Sequence, residues 1–285
     1  MESPLSFCAV CGFILLDSTM VKRYNSNGRP YAIYNRKYCS MFDSKKYAEV
    51  CEDAVKRIYA RELRNRGSEK EAEKATKAKL HQLTGAFMTP KETEKALSCL
   101  HRFQNGEEGA LREALLTHSS TRERIEGMQE MYARVFSVCG RPNRILDLAC
   151  GINPIYLGSL GLCVSGWDVG GSQVRVINEW ARVLSWDVRA NVCDLVQGMP
   201  NDTGDLTLMM KLLPVLETQE KGAGERLLRQ AKGNILVTFP TRTLSGRNVG
   251  MEKQYSEWFE GILGEESKIL DKFTVTGELC YVIYR

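Results

Sequence analysis

From residue 144 onward, short apolar runs of β-type residues recur at helix-length intervals, and this alternation constrains the fold more than any other feature. The runs are "RILDLA" (144–149), "CVSGWDV" (163–169), "RANVCDL" (189–195), "DLTLMMKLL" (205–213) and "NILVTFP" (234–240). Five such runs spaced by helices predict an α/β fold with a doubly wound parallel sheet, helices covering both faces. Two final runs, "LDKFTVTG" and "ELCYVIYR", are joined by a short Gly-containing turn, which predicts an antiparallel hairpin at the sheet edge.

This pattern occupies residues 106–285. Upstream, residues 44–105 are rich in Lys, Glu, Ala and Leu, with apolar residues at three- and four-residue spacing. "SKKYAEVCEDAVKRIYARELRNRG" and "SEKEAEKATKAKLHQLTGAF" each start on a Ser and are punctuated by Gly67 and Gly85, which predicts N-capped amphipathic helices in a small domain. Residues 1–43 show little helical periodicity and form a short Cys-containing extension. A length of 285 residues with 43% hydrophobic and 26% charged side chains suits one large globular domain or two smaller ones.

Charge is unevenly placed. Residues 1–105 hold 19 Lys and Arg against 12 Asp and Glu, whereas residues 106–285 hold 20 against 23. Excess positive charge on one region attracts a phosphate backbone, although a solvated helical face has the same composition. The apolar runs fall short of the ~18 residues a membrane span needs, and the N-terminus lacks a basic start with a small-residue cleavage site. No membrane partner and a cytoplasmic, thiol-reducing location are therefore expected for the ten cysteines.

A parallel sheet binds ligands beyond the carboxyl ends of its strands, so the residues ending each run define the candidate site. Asp147 is followed by Ala149, Cys150 and Gly151; Asp168 ends the second run and Asp194 the third. Asp168 lies 21 positions beyond Asp147, the spacing at which a carboxylate meets a ribose diol. Asp194 is placed to accept from an adenine amino group, with Leu195 packing the ring. Each Asp alone reads equally well as a helix cap, but three in register favour a nucleoside site. The chain has no G-x-G-x-x-G cradle for a pyrophosphate, so the nucleoside expected is one without phosphates, S-adenosylmethionine. Its amino-acid end needs a cation, and "LLTHSSTRERIEGM" supplies His118, Ser119, Ser120 and Thr121 ahead of Arg124. The same residues also spell an ordinary capping box from Ser120 to Glu123.

"HSSTRER", "ILDLACGINP", "MMKLLPVLE", "FPTRTLSGRNVGMEKQYSEWFE" and "GELCYVI", in this order, resemble the Arm/Rmt/Sgm aminoglycoside-resistance 16S rRNA (guanine(1405)-N(7))-methyltransferases. The resemblance covers about residues 44–285 and includes "KLHQLTGAFMTP" in the helical part. It implies a Rossmann-like methyltransferase core, an rRNA-docking helical domain, and methyl transfer from S-adenosylmethionine to N7 of the guanine in the 30S subunit. Residue by residue, it implies Phe87, His118, Ser119, Ser120 and Arg124 at the amino-acid side, Ala149 and Gly151 beneath the cofactor, Asp168 at the ribose, and Asp194 with Leu195 at the adenine. The resemblance also implies Gln219 at the border of the same pocket. Met209, Arg242, Arg247 and Gln254 would lie near the target nucleotide. Among Lys45, Lys46, Lys56, Arg57, Arg61, Arg64, Lys77 and Lys79, some would meet rRNA phosphates and the rest would be solvated. Guanine N7 carries an unprotonated lone pair, so no catalytic acid or base is expected. A monomer is expected.

Residues 1–43 have no counterpart in that family. Cys8, Cys11 and Cys39, with Asp43 four positions on, suggest a zinc ribbon, a degenerate ribbon without metal, or a plain extension. Two other functions fit the chain: methylation of another decoding-region base, and a ribosome-binding module without turnover.

Overall fold

The computed structural model describes residues 6–8, 13–16, 20–24, 30–34, 47, 49–85, 87–241 and 250–285. The chain divides into two compact units, Met1–Glu49 and Val50–Arg285. The first contains a four-stranded antiparallel meander of β1 (Ser6–Cys8), β2 (Phe13–Leu16), β3 (Met20–Tyr24) and β4 (Pro30–Tyr34).

The second unit holds both the basic helices and the α/β core. Helix α1 (Glu52–Arg66) ends on Gly67 in the left-handed region at φ 68°, whose N–H donates to the Leu63 carbonyl. Glycine adopts that conformation without a Cβ penalty, which is why the helix stops there. Helix α2 (Glu69–Leu80) returns against α1. Of the two serine caps expected from the sequence, Ser44 lies outside the described residues and Ser68 does not form one. Helix α1 begins after Cys51, and Ser68 precedes α2 without a side-chain capping bond. A capping box does stand at α3 (Pro90–Gln104), where Thr89 and Glu92 exchange hydrogen bonds ahead of a proline in the first turn.

The α1–α2 pair is pinned by Glu62, nearly buried, whose carboxylate accepts from Arg66 at 3.0 Å and pairs with Lys79 at 2.8 Å. Those bonds, led by Lys79, hold its pKa below the usual carboxylate range. Glu62→Gln is expected to cost about 2 kcal/mol, the worth of a hydrogen-bonded charge, read as a lower melting temperature.

Short helices α4 (Gly109–Leu115) and α5 (Ser119–Arg124) lead into α6 (Met128–Cys139) and the sheet. The sheet comprises β5 (Arg144–Leu148), β6 (Cys163–Asp168), β7 (Val188–Val192), β8 (Leu206–Met210), β9 (Asn234–Pro240), β10 (Lys268–Val275) and β11 (Glu278–Tyr284). Its order is β10-β11-β9-β8-β5-β6-β7, with β9 to β7 parallel and the β10–β11 hairpin antiparallel at the edge. The predicted Rossmann-like fold is thus present. Intervening helices are α7 (Asn153–Ser159), α8 (Gly171–Leu184), α9 (Leu212–Gln219), α10 (Ala223–Gln230) and α11 (Met251–Ile262).

Strand alternation sorts side chains to two core layers. On β11, Cys280 and Val282 face the layer containing α3, α6 and α8, while Leu279, Tyr281 and Ile283 face that containing α9, α10 and α11. Trp180 of α8 is fully buried and donates its indole N–H to the Ala96 carbonyl at 3.1 Å, tying α3 to the sheet layer. Among the described residues, no helix is long and apolar enough to cross a membrane.

Candidate active site

The strand order reverses between β5 and β8, and at such a switch point a parallel sheet forms a crevice beyond the carboxyl ends of its strands. The loop after β5 is bent sharply. Ala149 and Gly151 both adopt φ 55°, a conformation that costs a non-glycine residue about 1–3 kcal/mol and persists at sites where the surroundings impose it. At Gly151 a Cβ would lie 2.6 Å from His118 Cε1, so the loop backbone sits directly against the imidazole. Behind it, a Cβ on Gly166 of β6 would meet Cys150 Sγ at 2.9 Å. Glycine at each position permits the close approach.

Asp168 holds this loop in place. Its Oδ2 accepts from the Gly151 N–H and its Oδ1 from the Gly170 N–H, both at 2.9 Å. Burial nevertheless pushes its pKa up. With one backbone N–H on each oxygen, Gly151 from the loop after β5 and Gly170 from the loop after β6, the carboxylate retains lone pairs for a diol.

Asp147 lies at the bottom of the crevice, fully buried. Oδ2 accepts from Asn153 Nδ2 at 2.6 Å, whereas Oδ1 has no hydrogen-bond partner. Burial raises its pKa to about 7, opposed by Asn153 and Arg124. An unmatched buried acceptor of this kind is where a ligand's ammonium group fits. The sequence pattern counts Asp147 among the three strand-end acids but assigns it no group of the cofactor.

Arg124 ends α5, and its side chain is 5% exposed. Its Nε donates to Glu278 Oε1 at 3.0 Å, and Nη1 reaches Met210 Sδ at 3.5 Å. Glu278 also receives the Thr238 hydroxyl at 2.7 Å and pairs with Lys211 at 3.0 Å. Burial pushes the Glu278 carboxyl up, but these cations and Thr238 hold it below the usual range. Lys211 also donates to Glu123 at 2.6 Å, so Glu123 is turned away from Ser120 and no capping box closes α5. That alternative reading of "SSTRE" is excluded.

Phe87 and His118 stack with ring centroids 5.9 Å apart, and the Ser119 N–H donates to the Phe87 carbonyl at 3.0 Å. Burial, then Arg124 and Arg122, lower the His118 pKa to about 3, so the imidazole is neutral at pH 7. Ser119 and Ser120 are half-buried beside it.

At the far end of the crevice, Asp194 follows β7 and Leu195 is buried behind it. Arg57 of α1 reaches across and forks onto Asp194, with Nε to Oδ2 at 2.6 Å and Nη2 to Oδ1 at 3.0 Å. The same Nη2 donates to Gln219 Oε1 at 2.7 Å. Arg57 was expected on the rRNA; the structure turns it into the crevice instead.

Other expected nucleic-acid contacts are dispersed. Met209 is fully buried in the layer with Leu213 and Val237, because strand alternation directs it away from the crevice. Met210, one residue on, is the methionine that meets Arg124. Gln254 is exposed on α11, Lys77 pairs with Glu73 and Lys79 with Glu62, and Arg61 is half-buried. Arg242, Arg247, Lys45 and Lys46 lie outside the described residues. Cys11, Cys39, Asp43 and the side chain of Cys8 do so as well, which leaves the zinc expectation there. Among the described residues, no group of three or more His, Cys, Asp or Glu is arranged for a metal ion.

Residues 43–282 match the sequence profile of the family described as Ribosomal RNA methyltransferase (FmrO). The chain belongs to this family. The resemblance drawn from the motifs therefore holds, and the fold is that of a methyltransferase. This methyltransferase is 38% identical over 246 residues to a Serratia marcescens protein named 16S rRNA (guanine(1405)-N(7))-methyltransferase, covering 86% of this chain and 95% of that one. It superimposes on the 16S rRNA methyltransferase RmtF, solved in complex with S-adenosyl-L-homocysteine, with a TM-score of 0.82 and 45% identity over 87% of this chain and 96% of that one. The 16S rRNA methylase RmtB gives 0.78 and 35%, over 87% and 96%.

Asp147 also carries a pH prediction. Its carboxyl has a folded pKa of about 7 against 3.8 unfolded. From about pH 4 to 7 the folded chain holds a proton that the unfolded chain has released, so stability of the unliganded protein falls as pH rises through that window. A ligand ammonium on Oδ1 favours the ionised form, so S-adenosylhomocysteine affinity is expected to rise with pH below about 7, by up to about tenfold per unit. Calorimetric titrations from pH 5.5 to 8 check this; Asp147→Asn should flatten the profile.

Proposed function

We propose that the chain transfers the methyl group of S-adenosylmethionine to N7 of guanine 1405 in 16S rRNA within the 30S subunit, conferring resistance to 4,6-disubstituted aminoglycosides. The observation that carries this reading is the near full-length match to a relative bearing that name, joined to a crevice whose polar groups fit the cofactor. Arg124 suits the cofactor's carboxylate, the orphaned Asp147 Oδ1 its ammonium, Asp168 its ribose diol, and Asp194 with Gln219 its base. Phe87, His118, Ser119 and Ser120 wall the amino-acid side, and Ala149 and Gly151 lie beneath the cofactor.

The cofactor supplies an electrophilic sulfonium methyl. Guanine N7 attacks with an existing lone pair, so no residue of this chain need remove a proton. The chain's task is alignment: residues at the crevice hold the donor, and the base is extruded from its stack to meet it. Residues 44–105 are proposed as the rRNA-docking segment, with Arg61 and Arg64 among its phosphate contacts. The segment containing Arg242 and Arg247, with Gln254 beyond it, is proposed to approach the target nucleotide. The enzyme is proposed to act as a monomer in the cytoplasm, where 30S subunits are.

The test is methyl transfer from labelled cofactor to 30S subunits and to naked 16S rRNA, with the modified base mapped. Incorporation at guanine 1405 of the 30S subunit is expected. Incorporation at another base would overturn the target, and none in 30S would overturn the activity.

A further inference from the structure

The base end of the crevice is built around a cation that belongs to the helical segment. Before α1, the Cys51 N–H donates to the Val169 carbonyl at 2.9 Å, and Val50 bridges Gly170, so the start of the helix is stitched to the loop after β6. One turn into α1, Arg57 extends to Asp194 and Gln219, the two residues assigned to the base. The Arg57 side chain is 17% exposed and that of Asp194 4%, so the contact is largely shielded from water. Asp194 also lines a cavity together with Cys51, Asp53 and Cys193.

The guanidinium has consequences for its partners. A carboxylate offers about four acceptor positions. On Asp194, Oδ1 already takes the Val196 N–H at 3.2 Å and Arg57 Nη2, and Oδ2 takes Arg57 Nε. One position on Oδ2 is left, and it accepts. Gln219 is more constrained. A guanidinium only donates, so the amide must turn its Oε1 to Arg57, and its NH2 is thereby presented as a donor. Arg57 Nη2 bonds both Asp194, through Oδ1, and Gln219, through Oε1, which keeps the two side chains neighbours on one guanidinium. Adenine's amino edge has the matching pattern: N6 donates and the adjacent N1 accepts. A hypoxanthine edge has the reverse, with O6 accepting and N1–H donating.

We propose that Arg57 is a positioning residue which sets the donor–acceptor polarity of Asp194 and Gln219, making the base subsite selective for adenine over its 6-oxo counterpart. This rests on the cofactor reading above. Arg57 does not touch the reacting atoms; it acts through two side chains that meet the base.

The test is calorimetric binding of S-adenosylhomocysteine and its deaminated counterpart, S-inosylhomocysteine, to the full chain. Wild type is expected to favour the adenine form by at least about tenfold, the discrimination of a mismatched buried hydrogen bond. Arg57→Met is expected to weaken adenine-form binding about tenfold and to bring the ratio near one. The ratio is the decisive readout, because general loosening of the fold weakens both ligands alike. Gln219→Glu gives a second route that leaves Arg57 in place. It replaces the donor facing N1 with an acceptor, and the ratio should again collapse. If wild type binds neither compound, the cofactor reading fails and this inference with it. If wild type binds the adenine form selectively and both variants keep its ratio, the role of Arg57 alone is overturned.

Discussion

Arg124→Ala is expected to reduce S-adenosylhomocysteine affinity beyond calorimetric detection and to lower stability together. Two causes act at once. The guanidinium is the one cation assigned to the cofactor's carboxylate, and a charged hydrogen bond of this kind contributes about 1.5–3 kcal/mol. Its removal also leaves Glu278, 1% exposed, with Lys211 as its remaining cation. Breaking a buried pair costs about 3–5 kcal/mol, and the retained Lys211 places this case at the lower end. Arg124→Lys separates the two effects. It restores a charge beside Glu278 and much of the melting temperature, but an ammonium cannot form the planar fork, so binding stays at least about tenfold weak. Binding by the alanine variant within threefold of wild type would remove Arg124 from the site.

Asp168→Ala has the second-largest expected effect. The substitution frees two loop N–H groups, on Gly151 and Gly170, and removes the diol acceptor. Two lost charge-assisted bonds to the ligand are worth about 3–6 kcal/mol, so a drop of at least about a hundredfold in affinity is expected. Asp168→Asn should fall between, because its one carbonyl oxygen can still serve one of the loop amides. Comparing S-adenosylhomocysteine with the free base adenine checks the assignment. Adenine has no ribose, so its weaker binding should be far less sensitive to Asp168→Asn.

The alternation of apolar runs determined the parallel sheet and its terminal hairpin, and the acidic residues ending those runs pointed to the crevice. Both are local signals: strand propensity and position along a strand are written in consecutive residues. The fold makes neighbours of Phe87 and His118, of His118 and Gly151, and of Gly151 and Asp168. Other features were set by partners distant in sequence. Ser120 and Glu123 spell a capping box, yet Lys211, 88 positions away, takes the carboxylate. Met209 and Met210 are indistinguishable by type, and only the pleat of β8 within its sheet decides which one faces Arg124.

Arg57 gives the sharpest contrast. In sequence it is one more cation on a basic amphipathic helix, and its neighbours suggest phosphate. The fold places it 137 positions from Asp194 and 162 from Gln219, where two oxygen-bearing side chains converge on its fork. By itself, the sequence determined the architecture, the family and the end of the sheet that holds the candidate site. The tertiary structure alone decided which charges are spent inside the protein, because the pairing of a buried ion depends on what the fold brings within hydrogen-bond reach and not on its neighbours along the chain.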